Sequence, residues 1–497
     1  MSKRTDSSGL GSLRAGGLTA VSLLVVAGAS GATGIVIARE FGRTAETDGL
    51  LAAYGVFIVV VVAAQAIRVS VLPQLARAAE AGRLAGELAG YAAALLVVAV
   101  PLVVAAEVWA DSIGGLLTGD ESAVARESAA TALRWMVPAA IMHLFAGLAA
   151  SGLAALDDYG TAAFGYALGS AAGLALILLR AEPDGIVAVA WGTTLNGALA
   201  LAVPAAGLVV RARRTRMPAA AVRPRGLPFR ARLQAFAVGA ALPISLQLLY
   251  LVSLPFAAGL GTGEATTFVY GYLAASSLVA VTAGSLGLVT AVPLARGTFT
   301  AAEVVRHVVS SSWFALVLVG AAAGAFVVAG GEVVRAVLGS AYGGDVGADL
   351  GELVVALSPW MVVSIGVSVA FPLAFVAGRT RRLPWIALGA LVLQAPLAWA
   401  GVELLHLDGL ALALGVSTLV VLLALLAELG ALAATARGLA LAALVVGALT
   451  VAAFVPPAFV LGALASAVCG LVLYALLVAL VRPRPLTASW RYLRGLR

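Results

Sequence analysis

The chain has 497 residues, of which 62% are hydrophobic and 11% charged, with a mean hydropathy of +1.06 and a formal net charge of +7. A soluble domain is about half apolar and about a quarter charged, so this composition excludes that class and points to a membrane protein. The single cysteine, Cys469, excludes a disulfide framework and a thiolate metal site.

Apolar runs of about 20 residues recur along the chain, each able to cross about 30 Å of hydrocarbon as a helix. The alternating strands of a β-barrel are absent. The expected fold is an all-α polytopic membrane protein of about 14 transmembrane helices. They start near residues 16, 50, 88, 128, 160, 185, 234, 266, 304, 353, 384, 409, 436 and 457. Residues 1–15, with Lys3, Arg4 and Arg14, read as a cytoplasmic N-terminus. They also fit a signal peptide ending near Ala27 to Ala29, but the apolar run continues to Ala38, longer than a signal core.

Between the first two spans, Arg39, Glu40, Arg43, Glu46 and Asp48 crowd into ten residues. A solvated hairpin would explain them, with ion pairs worth little. Their density between apolar flanks favours a gate or a pathway lining, which makes Arg39, Arg43 and Asp48 candidates. In the second span Tyr54, Gln65 and Arg68 fall within about 40° of one another at 100° per residue, forming one polar stripe. Polar groups inside a membrane are functional candidates because their burial is costly. Arg68 either lines a cavity or snorkels to the interface, and Arg134 in the fourth span has the same alternatives. Asn196, Gln247 and Gln394 line a cavity or, the reading we favour, bond between helices. Gly165, Gly169 and Gly173 at four-residue spacing let two helix backbones approach closely. Prolines inside spans, such as Pro138, Pro204 and Pro372, suit helices that bend.

The stretch 211–232, RARRTRMPAAAVRPRGLPFRAR, carries eight arginines and reads as a basic cytoplasmic linker against anionic headgroups. Its one aromatic residue, Phe229, argues against nucleic acid. With the N-terminus inside, the cytoplasmic segments hold 24 of the 31 Lys and Arg residues and the outer loops five. Positive residues are retained in the cytoplasm, so this split supports both the spans and two cytoplasmic termini. The halves look duplicated: Trp135-Met136-Val137 pairs with Trp360-Met361-Val362, and Asp184-Gly185 with Asp408-Gly409. The organisation is thus an N-lobe at 16–210, the linker at 211–232, a C-lobe at 233–430, two further helices at 431–480 and a basic tail at 481–497. The lobes are parallel six-helix repeats, which suggests a transporter with its path between them.

Enzyme signals are weak, and no catalytic, cofactor-binding or metal site is expected. His143, His307 and His406 fall in unrelated segments. Without a Gly-rich phosphate loop, an ion gradient, membrane potential or substrate gradient must drive transport, so a coupling ion is a candidate partner. Asp157-Asp158, on a short cytoplasmic turn, reads as solvated. Glu46-Thr47-Asp48 has the acid-x-acid spacing with which membrane glycosyltransferases hold a divalent ion, on a loop too short for an active-site domain.

IAREFGRTAETDGLLAAY followed by VLPQLAR resembles the first helical hairpin of the MviN/MurJ-type lipid II flippases, members of the multidrug/oligosaccharidyl-lipid/polysaccharide (MOP) flippase superfamily. The matching features are Phe41-Gly42, Thr47-Asp48, Leu50 to Tyr54 and Leu72-Pro73, with the Asp-Gly runs at 184–190 and 408–413. The resemblance implies that the chain moves a lipid-linked glycan from the inner to the outer leaflet by alternating access, in a bacterial-type cytoplasmic membrane. The glycan lipid and membrane lipids would be its partners. The departures are specific. Lipid II flippases carry first-helix arginines where this chain has Gly28 to Gly34, GASGATG. Their second-helix arginine pair falls on Val59 to Val62, and their eighth-helix arginine on Ala275. The other readings are a multidrug or cation antiporter of the same superfamily, which needs an acid deep in a helix, and an integral-membrane glycosyltransferase.

Overall fold

The computed structural model describes residues 6–119, 122–214, 228–280, 300–483 and 486–487. The described residues form helices and short turns, and the fourteen expected starts each fall in a helix or within six residues of one. Ten helices are long and apolar enough to cross a membrane, or eleven with one bent pair, among the described residues. Large apolar side chains cover the outside, Leu404 being 77% and Phe459 84% exposed. A soluble protein does not expose apolar surface on this scale, so the chain is a multi-pass membrane protein. It divides into two compact units, 1–251 and 252–497.

The first unit opens with α1 (Asp6–Glu40) and α2 (Ala45–Glu80). Gly42, at φ +63°, makes the turn between them, a conformation that costs glycine nothing. Thr44 then caps α2, its hydroxyl accepting from Thr47 N at 3.3 Å. The helices α3 (Leu84–Val108) and α4 (Ala110–Thr118) are separated only by Trp109. The short α4 was not expected from the sequence. Next come α5 (Ala123–Ala154), α6 (Tyr159–Asp184), α7 (Val187–Arg214) and α8 (Phe229–Ala258), the last of which crosses into the second unit.

Glycine sets how closely these helices pack. A Cβ on Gly49 of α2 would stand 2.1 Å from the Ala125 carbonyl oxygen of α5. On Gly169 and Gly173 of α6 it would stand 2.6 Å from backbone oxygens of α7, at Asn196 and Gly192. The glycine stripe therefore does what its spacing predicts: two backbones touch where no side chain intervenes.

Ion pairs group the ends of the helices as the charge count sorted them. At the arginine-rich end, Arg232 Nη2 donates to Glu87 Oε2 at 2.8 Å, and the Arg232 guanidinium lies 5.4 Å from the Tyr91 ring centre. Tyr91 in turn donates to Gln74 Oε1. Asp158 is not merely solvated, as its place on a turn suggested. It caps α6 by accepting from Thr161 N at 3.1 Å and pairs with Arg211 of α7. Partial burial pushes the Asp158 carboxyl up, but the Thr161 amide and hydroxyl and the Arg211 guanidinium outweigh it, leaving it below the usual carboxylate range.

The second unit contains α9 (Glu264–Val279), α10 (Ala301–Leu338), α11 (Asp345–Ala356), α12 (Ser358–Val376), α13 (Leu383–Glu428), α14 (Leu432–Ala458) and α15 (Ala463–Val481). Thr300 and Glu303 form a capping box at the start of α10. The helices α11 and α12 meet at a 41° bend. Pro359, which has no N–H to continue the helix, follows that bend immediately. In α13 the helical conformation breaks at Leu405 and His406, the latter at φ +51°. Gly401 and Gly409 touch there: a Cβ on Gly409 would lie 1.9 Å from the Gly401 oxygen. Eight residues of unbroken helix span about 12 Å, so the chain doubles back and α13 is two segments. This agrees with the separate starts expected near 384 and 409.

The last two helices pack on α10. Trp313 and Leu316 meet Ala442 and Val446. The Phe454 ring sits against Gly324 and Gly470, where any Cβ would come within 2.3 Å of it, and Tyr474 donates to the Val317 carbonyl at 3.0 Å. Gln394, fully buried, donates to Ser253 Oγ at 2.9 Å and so joins α13 to α8. Of the two roles weighed for this glutamine, the interhelical bond is the one present.

Candidate functional site

A cavity of about 220 Å³ lies inside the first unit, walled by α1, α2, α5, α6 and α7. Its aromatic wall is a continuous series of ring contacts across three helices. Tyr54 stacks on Phe57 with centroids 5.5 Å apart, and Phe57 meets His143 edge-on at 5.7 Å. His143 then stacks on Tyr166 at 6.2 Å and 12°. Such offset and edge geometries are the favourable ones for rings of this kind. The helix repeat explains part of the series: residues 54 and 57 are three apart on α2 and share a face.

The polar wall comes from α1 and α7. Thr33 Oγ1 donates back to the Ala29 carbonyl at 3.0 Å, and Thr193 Oγ1 to the Val189 carbonyl at 2.8 Å. Asn196 lines the cavity through an amide packed against Gly169. Among the described residues, His143 Nε2 and Asn196 Oδ1, atoms buried within lining residues, have no hydrogen-bond partner. Among the described residues, no aspartate, glutamate, lysine or arginine lines it.

A second pocket, of about 360 Å³, opens at the arginine-poor end. Glu46, Glu127 and Asp184 line it together with Ser128 and Thr131. Ser128 Oγ donates to the Glu46 carbonyl at 2.7 Å, and Arg180 pairs with Asp184. Among the described residues no three His, Cys, Asp or Glu side chains are placed to hold a metal ion.

The expected pathway residues separate. Tyr54 lines the cavity. Gln65 and Arg68 lie in α2, but their side chains are outside the described residues. Arg39 is exposed at the end of α1, Arg43 is half-buried in the turn, and Asp48 is 6% exposed in the first turn of α2, where a helix N-terminus favours an anion. Arg134 lies outside the cavity, its Nη2 3.4 Å from Asp111 Oδ2 on α4, both side chains exposed. Phe57, His143 and Tyr166 were not singled out as a group. His143 had been weighed only as a metal ligand, and nothing in their spacing joins positions 57, 143 and 166.

No family model and no curated protein sequence matches the chain. Solved structures do. The lipid II flippase MurJ, in an inward closed conformation, superposes with a TM-score of 0.72 at 12% identity, over 93% of this chain and 98% of that one. An inward-facing multidrug resistance MATE family transporter of the MOP superfamily gives 0.61 at 17% identity, over 84% and 94%. A Vibrio cholerae MATE transporter gives 0.57 at 14% identity, over 86% and 98%. The chain therefore shares the fold of these solved structures over most of its length.

Proposed function

We propose that this chain is a membrane transporter, not an enzyme, that flips a lipid-linked glycan from the inner to the outer leaflet by alternating access. The substrate is a peptidoglycan precursor such as lipid II or a related envelope polysaccharide precursor. The observation that carries this reading is the near end-to-end likeness in fold to a lipid II flippase. The hairpin motif from Phe41 to Asp48 adds to it. The distribution of Lys and Arg supports a bacterial-type cytoplasmic membrane with both termini in the cytoplasm. The domain organisation read from the sequence, two lobes joined by a basic linker and followed by two helices, belongs to the same proposal.

The antiporter reading is weaker on one specific ground. Among the described residues, the cavity of the first unit has no carboxylate in its lining. An organic cation buried there would lack a counter-ion, and an unpaired buried charge is costly. The glycosyltransferase reading also loses support, because Glu46 and Asp48, two apart in the first turn of α2, point about 160° apart around the helix. Depletion of the protein in its native cell tests the lead reading. Accumulation of a lipid-linked glycan on the inner leaflet supports it, and an unchanged precursor pool overturns it.

A further inference from the structure

We infer that the turn joining α14 to α15, Phe459 to Gly462, is an interfacial anchor. It lies within the bilayer, where headgroups meet acyl chains, with Phe459 and Val460 seated in lipid. The inference is independent of what the chain transports.

Length and charge set the depth. Arg437 and Arg482 bound the hairpin at its open end, and none of residues 438–481 is charged. From Arg437 to Ala458 α14 rises about 32 Å, and the 19 residues of α15 rise about 28 Å. Hydrocarbon is about 30 Å thick, so the turn reaches its far edge and goes little further. The neighbouring α10 gives the same depth. It runs alongside α14, with Val309 against Gly438 and Gly324 against Phe454. Beyond that level its first charged residue is Glu332, about 12 Å past Gly324, whereas Phe459 lies about 8 Å past Phe454. The turn stops short of the level where α10 first carries charge.

The turn is also built for a place with little water. Hydrocarbon offers no hydrogen bonds, so backbone groups near it must find partners within the chain. Pro456 and Pro457 have no N–H to place. The amides of Phe459, Val460 and Leu461 donate to the Pro456, Pro457 and Pro457 carbonyls at 3.4, 3.0 and 2.9 Å. Ser466, 1% exposed, sets its hydroxyl between the Pro457 and Leu461 carbonyls, at 3.1 and 3.0 Å. The side chains point the other way. Phe459 and Val460 are 84% and 82% exposed, so the fold leaves them for a partner to cover. Apolar surface at the edge of hydrocarbon is covered by lipid, as on the apolar face of an interfacial helix. Other turns of this unit differ, with Asp345 and Asp408 in them or directly after them.

Cys469 is the one cysteine of the chain, so Cys469→Ser gives a background for single nitroxide labels. Labels at Val460→Cys and, as a water reference, at Ser340→Cys, exposed just past α10, are read by power-saturation EPR. The full chain is held in vesicles of palmitoyl-oleoyl phosphatidylcholine. Collisions of the Val460→Cys label with a water-soluble nickel chelate are expected to fall about tenfold below those at Ser340→Cys, while collisions with oxygen rise. Adding Phe459→Ser and Leu461→Ser is expected to raise the nickel collisions about threefold, because those side chains hold the turn at depth. Equal nickel collisions at both labels put the turn in water and overturn the anchor. Shielding from both reagents also overturns it. A second copy is then the cover if spin broadening vanishes on dilution with unlabelled protein, and the chain itself if it does not. Unchanged collisions in the serine variant, at an unchanged melting temperature, overturn the anchoring role of the side chains.

Discussion

Arg232 and Glu87 form an ion pair at 2.8 Å, with side chains only 12% and 13% exposed, and the Tyr91 ring covers the guanidinium. The pair ties the start of α8 to α3. Removing one partner of a buried pair strands the other charge, at a cost of roughly 3–5 kcal/mol when burial is complete. Here the residual exposure lowers the expectation for Glu87→Gln to about 2 kcal/mol. The double variant Glu87→Gln with Arg232→Met is expected to lose less than Glu87→Gln alone. Thermal unfolding of the purified protein measures both, and equal melting temperatures for parent and Glu87→Gln would show the pair to be idle.

Gly49→Ala tests the α2–α5 crossing. Its Cβ would meet backbone atoms of Ala125 and Ala129 at 2.1 and 2.8 Å, and backbone cannot swing aside as a side chain can. Overpacking of this kind costs about 1–3 kcal/mol, and a backbone clash belongs at the top of that range or above it. Gly31→Ala is the control, because nothing lies within 4 Å of its Cβ. Loss of helix-disfavouring glycine there is expected to be neutral or to stabilise by up to about 1 kcal/mol. The yield of folded protein and the melting temperature decide both.

Asp158→Ala removes a cap and an ion pair together. Cap loss alone costs about 0.5–2 kcal/mol. The pH dependence has a fixed sign: a carboxyl held below its usual range contributes stability fully above the unfolded value of about 3.9 and loses it as pH falls through the folded value. The parent protein is therefore expected to lose stability relative to Asp158→Ala on acidification below about pH 4. A gap between the two melting temperatures that stays constant from neutral pH down to pH 3 would remove Asp158 as its source.

Arg68→Ala is expected to impair transport while the protein still inserts and folds, and normal flux would reduce Arg68 to an interfacial anchor. Arg134→Ala serves as a contrast for stability. Its pair with Asp111 is exposed on both sides, and such pairs contribute about 0–1 kcal/mol. The melting temperature of Arg134→Ala is expected to stay near that of the parent. Flux measured on the same preparation then decides whether Arg134 belongs to the pathway.

The helices were legible because each needs a long apolar run, and the Gly165–Gly173 crossing because small residues at four-residue spacing have one geometric use. The break in α13 was legible as two starts, although nothing pointed to His406 as the residue that takes the positive φ. The cavity was legible only at Tyr54 and, as one of two readings, at Asn196. In a membrane protein the lipid-facing and core-facing sides of a helix are both apolar, so periodicity does not say which face Phe57 or Tyr166 turns inward. Asp158 was misread for a related reason. A carboxylate on a turn looks solvated until the helix that follows is known to need it as a cap, and until Arg211, 53 residues later, is seen to reach it.

The Trp-Met-Val match sets Trp135 against Trp360, and so Arg134 against Pro359. The first of these segments runs through α5 as one helix of 32 residues, and the second is divided into α11 and α12. Two segments that match in sequence thus form a strut in one half and a knuckle in the other. Amide hydrogens beside the knuckle are expected to exchange with solvent sooner than those of the strut, which would give the two segments unequal stiffness.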